Sequence, residues 1–147
     1  MFDTIVSWLE DLEDVPQDPR YHPEGCALFH SLQVFQHALD DTEDPELLAA
    51  ALLHDVGKAH AGRDHDEVGA DMLVGFPDRV RWLVAHHLDL LRDAHGTRTR
   101  LWGTPALHDL EALRRWDLAG RDPEAEVMSP EQAASIVAEV LEHAAAR

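Results

Sequence analysis

Apolar residues recur at helical spacing through almost the whole chain. No segment keeps the strict alternation of a half-buried strand for more than a few residues, which confines the chain to an all-α fold. The most heavily punctuated segment sets the frame for the rest. Asp44 is placed to cap the amides of a helix, Pro45 suits its first position, and Gly57 follows the run LLAAALLHDVG as its stop. Leu47 to Leu53 is apolar on every side, so this helix is read as buried, and it closes on the adjacent pair His54-Asp55.

The same reasoning predicts the other elements. A helix from about Phe2 to Glu13 carries Ile5, Leu9 and Leu12 on one face and stops before Pro16. A second emerges from the loop around Pro23 and Gly25, with Leu28, Leu32, Phe35 and Leu39 as its apolar stripe and His30, Val34 and His37 on the adjacent face. After a loop containing Gly62, a helix from about His65 to Val74 aligns His65, Val68, Gly69 and Met72. Another, from about Asp78 to Leu91, turns Val80, Leu83 and Val84 inward and bears His86-His87 in its last turns. Arg92 to Thr104, rich in Gly, Thr and Arg, is read as a loop. A helix from about Pro105 to Leu118 ends at Gly120, and a final one opens at Ser129-Pro130, with Gln132 completing a capping box, and runs to His143. The expectation is a bundle of about six to seven helices forming one domain over residues 1–147, with a motif-bearing core at about 21–122 and a C-terminal helix at about 129–145.

Charge narrows the partners. The formal charge of -17, from 29 acidic against 12 basic residues, repels phosphate backbones over much of the surface, so broad nucleic-acid binding is not expected. Lys58 is the only lysine, every other basic residue being arginine. The single cysteine, Cys26, leaves no internal disulfide, and MFDTIVSWLEDLEDVP lacks the basic start of a signal peptide, so a cytoplasmic location is expected. No apolar run approaches the roughly 20 residues that span a bilayer, and no membrane partner is expected. Nothing in the sequence sets the oligomeric state.

His54-Asp55 carries the first chemical signal. An imidazole nitrogen and a carboxylate oxygen together suit Mn, Fe, Co, Ni or Zn and fit a pure Ca site poorly. At the end of a buried apolar run these two groups are costly without a compensating cation or network. Three stretches add to that signal: YHPEGCALFHSL, ALLHDVGK and LRRWDLAGRD. Together they resemble the HD-domain phosphohydrolase superfamily, whose pattern is a His, an HD pair and a distant Asp, each on a different helix. The likeness is greatest to the HD domain that follows the catalytic head of bacterial tRNA nucleotidyltransferases and poly(A) polymerases. Those proteins share HPEG, HDVGK, an H-x-x-V-G-A helix and a late LV-x-x-H. The resemblance covers roughly Tyr21 to Asp122 and includes no nucleotidyltransferase head, so a free-standing HD domain is expected. Cys26 departs from the relatives, which usually carry an acidic residue there.

The resemblance implies a metal site made of His30, His54, Asp55 and Asp117, holding one divalent transition metal with room for a second. His65, His86 and His87 stand where binuclear relatives add ligands and mononuclear ones bind phosphate, with His65 and His87 the better matches. The implied chemistry is attack of a metal-acidified water on phosphorus. Asp55 would bridge metal and water. Lys58, almost one helical turn beyond Asp55, would meet the phosphate and favours a nucleotide phosphodiester or phosphomonoester as substrate. Glu24 is expected to contact substrate or a histidine, and Arg98 and Arg100 to receive a phosphate from their loop. His37, His95, His108 and His143 are read as ordinary side chains, His22 and His60 as intermediate, and Trp82, Trp102 and Trp116 as core or pocket wall. Two other functions compete. An HD-type diiron oxygenase is suggested loosely by Tyr21, Glu24 and the extra histidines. A non-catalytic regulatory HD module would have little reason to keep four buried polar ligands.

Overall fold

The computed structural model describes residues 1–147 and contains nine α-helices and a 3₁₀ turn, without a strand. The helices are α1 (Phe2–Glu10), α2 (Ala27–Asp41), α3 (Pro45–Leu53), α4 (His65–Met72), α5 (Asp78–His86), α6 (Asp89–Arg92), α7 (Ala94–Arg100), α8 (Pro105–Ala119) and α9 (Pro130–Ala145). The 3₁₀ turn, Val56–Ala59, lies between α3 and α4. Seven of the nine helices stand where the sequence predicts them. No helix is long and apolar enough to cross a membrane.

Helix α3 is the axis of the bundle. All residues from Leu47 to Leu53 are buried, and α2, α5, α8 and α9 pack around it. Its entrance is fixed by Asp44, whose Oδ1 accepts from the Glu46 and Leu47 amides at 3.1 and 3.2 Å. The same carboxylate receives Arg79 of α5 at 2.8 Å, and the other arm of that guanidinium reaches Asp109 of α8 at 2.9 Å, so one arginine ties three helices. At the far end, α9 opens on the full capping box of Ser129 and Gln132. It packs against α1, α2 and α3 and joins the same thirty-residue hydrophobic core.

Two local expectations are corrected. The stretch from Arg92 to Thr104 is not a loop throughout, because α7 occupies Ala94–Arg100. Its sequence has no apolar period; what makes it a helix is the Asp93 side chain accepting from the Gly96 amide at 3.0 Å and burial of Thr97, whose hydroxyl donates to the Asp89 carbonyl at 3.2 Å. Gly57 does not stop α3, which ends at Leu53; it lies inside the 3₁₀ turn, and its φ is not positive. A Cβ there would overlap the His65 carbonyl oxygen and lie 2.7 Å from the Gly69 nitrogen. Glycine is needed because the 3₁₀ turn rests directly on α4, and this close approach sets where His65 stands relative to Asp55.

Candidate metal centre

Four side chains converge at one end of the buried helix. His30 enters from the first turns of α2, His54 and Asp55 from the end of α3, and Asp117 from the last turn of α8. One ligand atom from each lies within 4.8 Å of all the others. His30 Nε2 is 2.6 Å from Asp117 Oδ1, His54 Nε2 is 3.0 Å from Asp55 Oδ2, and His54 Nε2 is 3.5 Å from Asp117 Oδ1. Neighbours on a continuous helix point about 100° apart. The pair meets here because the α-helix ends at Leu53 and Asp55 leaves the helical path, at φ -107° and ψ 9°. Its carboxylate thereby turns towards the His54 ring.

A second group shares Asp55. Its Oδ1 lies 3.2 Å from His65 Nε2 and 3.4 Å from His87 Nε2. The two oxygens of one carboxylate thus face two sets of histidines.

The imidazoles are oriented by their outer nitrogens. Nδ1 donates to the carbonyl three residues upstream in His54 (Ala51, 2.8 Å), His65 (Gly62, 2.7 Å) and His87 (Val84, 2.6 Å). A proton held at Nδ1 leaves the lone pair at Nε2. In all three residues Nε2 is buried and has no hydrogen-bond partner. Lone pairs therefore face carboxylate oxygens, an arrangement that needs a cation between them, either a proton or a metal ion. Titration behaviour follows from this crowding. Burial opposes charge on His54, yet Asp55 and Asp117 outweigh it and raise its pKa to about 10. Burial likewise opposes charge on His30, but hydrogen bonds with Asp117 and Glu24 raise it to about 8. Burial pushes the Asp55 and Asp117 carboxyls up; for Asp55 the charges of His54 and Lys58, and for Asp117 hydrogen bonds with His30 and His54, hold them well below the ordinary range.

Further groups complete the surroundings. Lys58 Nζ lies 3.2 Å from Asp55 Oδ2 and donates to Gln17 Oε1 at 2.6 Å. A cavity of about 230 Å³ opens beside it, lined by Gln17, Asp18, His22, Lys58, Gly62 and His65 among others. Glu24 is buried, with Oε2 2.7 Å from His30 Nδ1 and 3.2 Å from His22 Nδ1, so it faces histidines on the side away from Asp117. The Gly120 carbonyl also accepts from His30 Nδ1, at 2.8 Å.

Three residues singled out from the sequence are not brought to this centre. His86 stacks on Trp82 with ring centroids 4.3 Å apart and directs Nδ1 to Asp89 at 2.8 Å. One helical step turns it away from the face on which His87 lies. Arg98 and Arg100 sit on α7, more than half exposed, and pair with Glu111 and Asp89, each at 3.4 Å. Neither contacts the clustered residues. Tyr21 is exposed. Conversely, sequence reasoning passed over Arg114 and Arg121, which approach Asp117 Oδ2 to 3.3 and 3.8 Å. Their positions, three before and four after Asp117, were the available signal. Gln17, the partner of Lys58, follows Pro16 between the first two helices and belongs to none of the three motif stretches.

The family model for the HD domain matches residues 28–129. Among curated proteins, the chain is 36% identical over 84 residues to the "Multifunctional CCA protein" of Hahella chejuensis, covering 52% of this chain and 20% of that protein. It is 40% identical over 80 residues to the protein of the same name from Methylococcus capsulatus, covering 50% and 19%. It is also 39% identical over 83 residues to the "Bifunctional uridylyltransferase/uridylyl-removing enzyme" of Gluconobacter oxydans, covering 46% and 9%. The matched region is thus about a fifth of the length of these CCA proteins, and less of the uridylyltransferase.

Proposed function

Because the chain belongs to the HD domain family, we propose that it is a metal-dependent hydrolase of small phosphate esters, nucleotides among them, with His30, His54, Asp55 and Asp117 as the ligands of a divalent transition metal. One observation carries the reading: buried Nε2 lone pairs, held in that tautomer by backbone carbonyls, face the oxygens of two ionised carboxylates. Two nitrogens and two carboxylate oxygens are a donor set that Mn, Fe, Co, Ni and Zn accept. The names of the relatives favour nucleotide chemistry. The charge of -17 favours a small substrate over a long nucleic acid.

A divalent ion held there supplies Lewis acidity, lowering the pKa of a water and polarising a phosphoryl oxygen. The protein groups divide the remaining work. Asp55 presents one oxygen to the ion position and to Lys58, and the other to His65 and His87. Lys58, fixed between Asp55 and Gln17 at the cavity wall, meets a phosphoryl oxygen as negative charge builds on it. Glu24 and the Gly120 carbonyl hold the His30 ring so that Nε2 faces inward. His65 and His87 either take a second ion together with Asp55 through Nε2 or, once Nε2 also carries a proton, donate to the substrate phosphate.

The test is turnover by metal-stripped protein reloaded separately with Mn, Fe, Co, Ni or Zn, on aryl phosphate mono- and diesters and a panel of nucleotides. Metal-dependent release of phosphate or alcohol is expected. Absence of turnover with every metal would overturn the reading. The Asp55, His65 and His87 group favours a second reading in one respect, since a two-ion site also suits an HD-type oxygenase. Two irons per chain with consumption of O₂ would replace hydrolysis by oxidation.

A further inference from the structure

The chain has few cations to place, and three of its twelve stand on the two carboxylates of the metal centre. Lys58 pairs with Asp55, and Arg114 and Arg121 with Asp117. Asp117 is the outermost of the four clustered groups, its side chain 18% exposed against 0–4% for the other three. Its Oδ1 faces His30 and His54, and its Oδ2 faces the two guanidiniums. Both arginines are roughly three-quarters buried and not in open solvent.

From this we infer that Arg114 and Arg121 form an anion clamp that binds the terminal phosphate of a phosphomonoester dianion. The inference rests on the phosphohydrolase reading and narrows its substrate. Charge is the first ground. Glu24, Asp55 and Asp117 supply three negative charges around the centre, and Lys58, Arg114 and Arg121 supply three positive ones. The carboxylate that lines the neighbouring cavity, Asp18, is already paired with Arg20 at 2.7 Å. With His30 and His54 neutral, as ligands to an ion must be, these six protein charges cancel, and a divalent ion leaves a surplus of about two positive charges. A phosphomonoester carries roughly -1.5 to -2 near neutrality and cancels that surplus; a phosphodiester, with a single negative charge, cancels half of it.

Donor geometry is the second ground. Arg114 makes one hydrogen bond, from Nη1 to Asp117, and none of its other N–H groups has a partner in the protein. Arg121 is anchored by Nη1 to the Tyr21 carbonyl at 2.8 Å and by Nε to the Asp117 carbonyl at 3.4 Å, and Nη2 makes no hydrogen bond. Arg114 thus keeps most of its donors, and Arg121 keeps Nη2, 3.8 Å from Asp117 Oδ2, on the outermost of the four clustered residues. A planar fork with unused donors is suited to the non-bridging oxygens of a phosphate, which present two acceptors side by side.

The experiment uses the full chain loaded with Mn and inorganic phosphate as the probe, with binding followed by calorimetry and by manganese broadening of the ³¹P signal. Arg114→Gln and Arg121→Gln are each expected to weaken phosphate binding about tenfold, the scale of a charge-assisted hydrogen bond, while Mn affinity holds or tightens. Arg114→Lys should recover only part of the loss, because it restores charge without the fork. In turnover, KM for 4-nitrophenyl phosphate should rise in both glutamine variants, and the wild-type preference for it over bis(4-nitrophenyl) phosphate should shrink. Phosphate affinity within twofold of wild type in both variants would overturn the clamp, as would a wild-type protein that binds Mn but no phosphate. If Arg121→Gln loses its fold with the Tyr21 tie, Arg114→Gln alone decides. Ester hydrolysis with arginine-independent phosphate binding sinks the clamp and leaves the hydrolase. Arginine-dependent phosphate binding without hydrolysis of any ester does the reverse.

Discussion

A metal ion at the proposed centre would compete with protons for the same nitrogens, and the pH dependence of that competition can be worked from the structure. His54 is raised to about 10 and His30 to about 8, in each case because neighbouring carboxylates outweigh the cost of burying charge. Asp55 and Asp117 stay ionised, being held well below the ordinary carboxylate range. An incoming ion must then displace a proton from each histidine below pH 8, and from His54 alone between 8 and 10. Apparent affinity is expected to rise about 100-fold per pH unit from pH 6 towards 8, or about 2.7 kcal/mol per unit, and about tenfold per unit above that. Calorimetric titration of metal into chelator-stripped protein, in buffers of different ionisation enthalpy, reads the protons directly; close to two per ion should be released at pH 7. The sign for stability runs the other way. Both histidines have folded pKa values above their unfolded value of about 6.5. The metal-free protein therefore holds their full contribution below pH 6.5, and loses it as pH rises through 8 and then 10. Thermal melts in chelator should fall over that window, and metal should remove the fall. A pH-independent metal affinity with no proton release would refute the account of how the two histidines are held.

Other consequences can be checked singly. Gly57→Ala should force the 3₁₀ turn away from α4, at a cost of about 1–3 kcal/mol in chemical denaturation; a variant as stable as wild type would show that the close approach is not needed. Glu24→Gln keeps the shape but weakens the hold on His30, so metal affinity should drop about 10- to 100-fold by competition titration, and an unchanged affinity would contradict its orienting role. Leu52→Ala opens space in the centre of the buried helix and should cost about 2–5 kcal/mol in urea unfolding. A loss below 1 kcal/mol would mean that α3 is not the packed axis described here.

The elements that were legible in the sequence are those whose causes are local. Asp44, Pro45 and the apolar run to Leu53 specify α3 without reference to the rest of the chain, as Ser129, Pro130 and Gln132 specify the start of α9. The resemblance to the HD-domain superfamily likewise singles out His30, His54, Asp55 and Asp117, and the fold gathers all four at the end of α3. What local sequence could not decide is orientation. His86 and His87 are neighbours with the same chemistry, and only the packing of Val80, Leu83 and Val84 turns α5 so that His87 faces Asp55 while His86 faces Trp82. Helix α7 has no apolar period and exists because Thr97 is buried and Asp93 caps it. Gly57 reads from sequence as a helix stop and is in space a contact point for α4. Arg114 and Arg121 gain meaning only where the end of α8 meets Tyr21. Caps and periodicity act over one or two turns of chain. The rotation of each helix about its axis is set by burial against partners distant in sequence, and that rotation decides which side chains share a site.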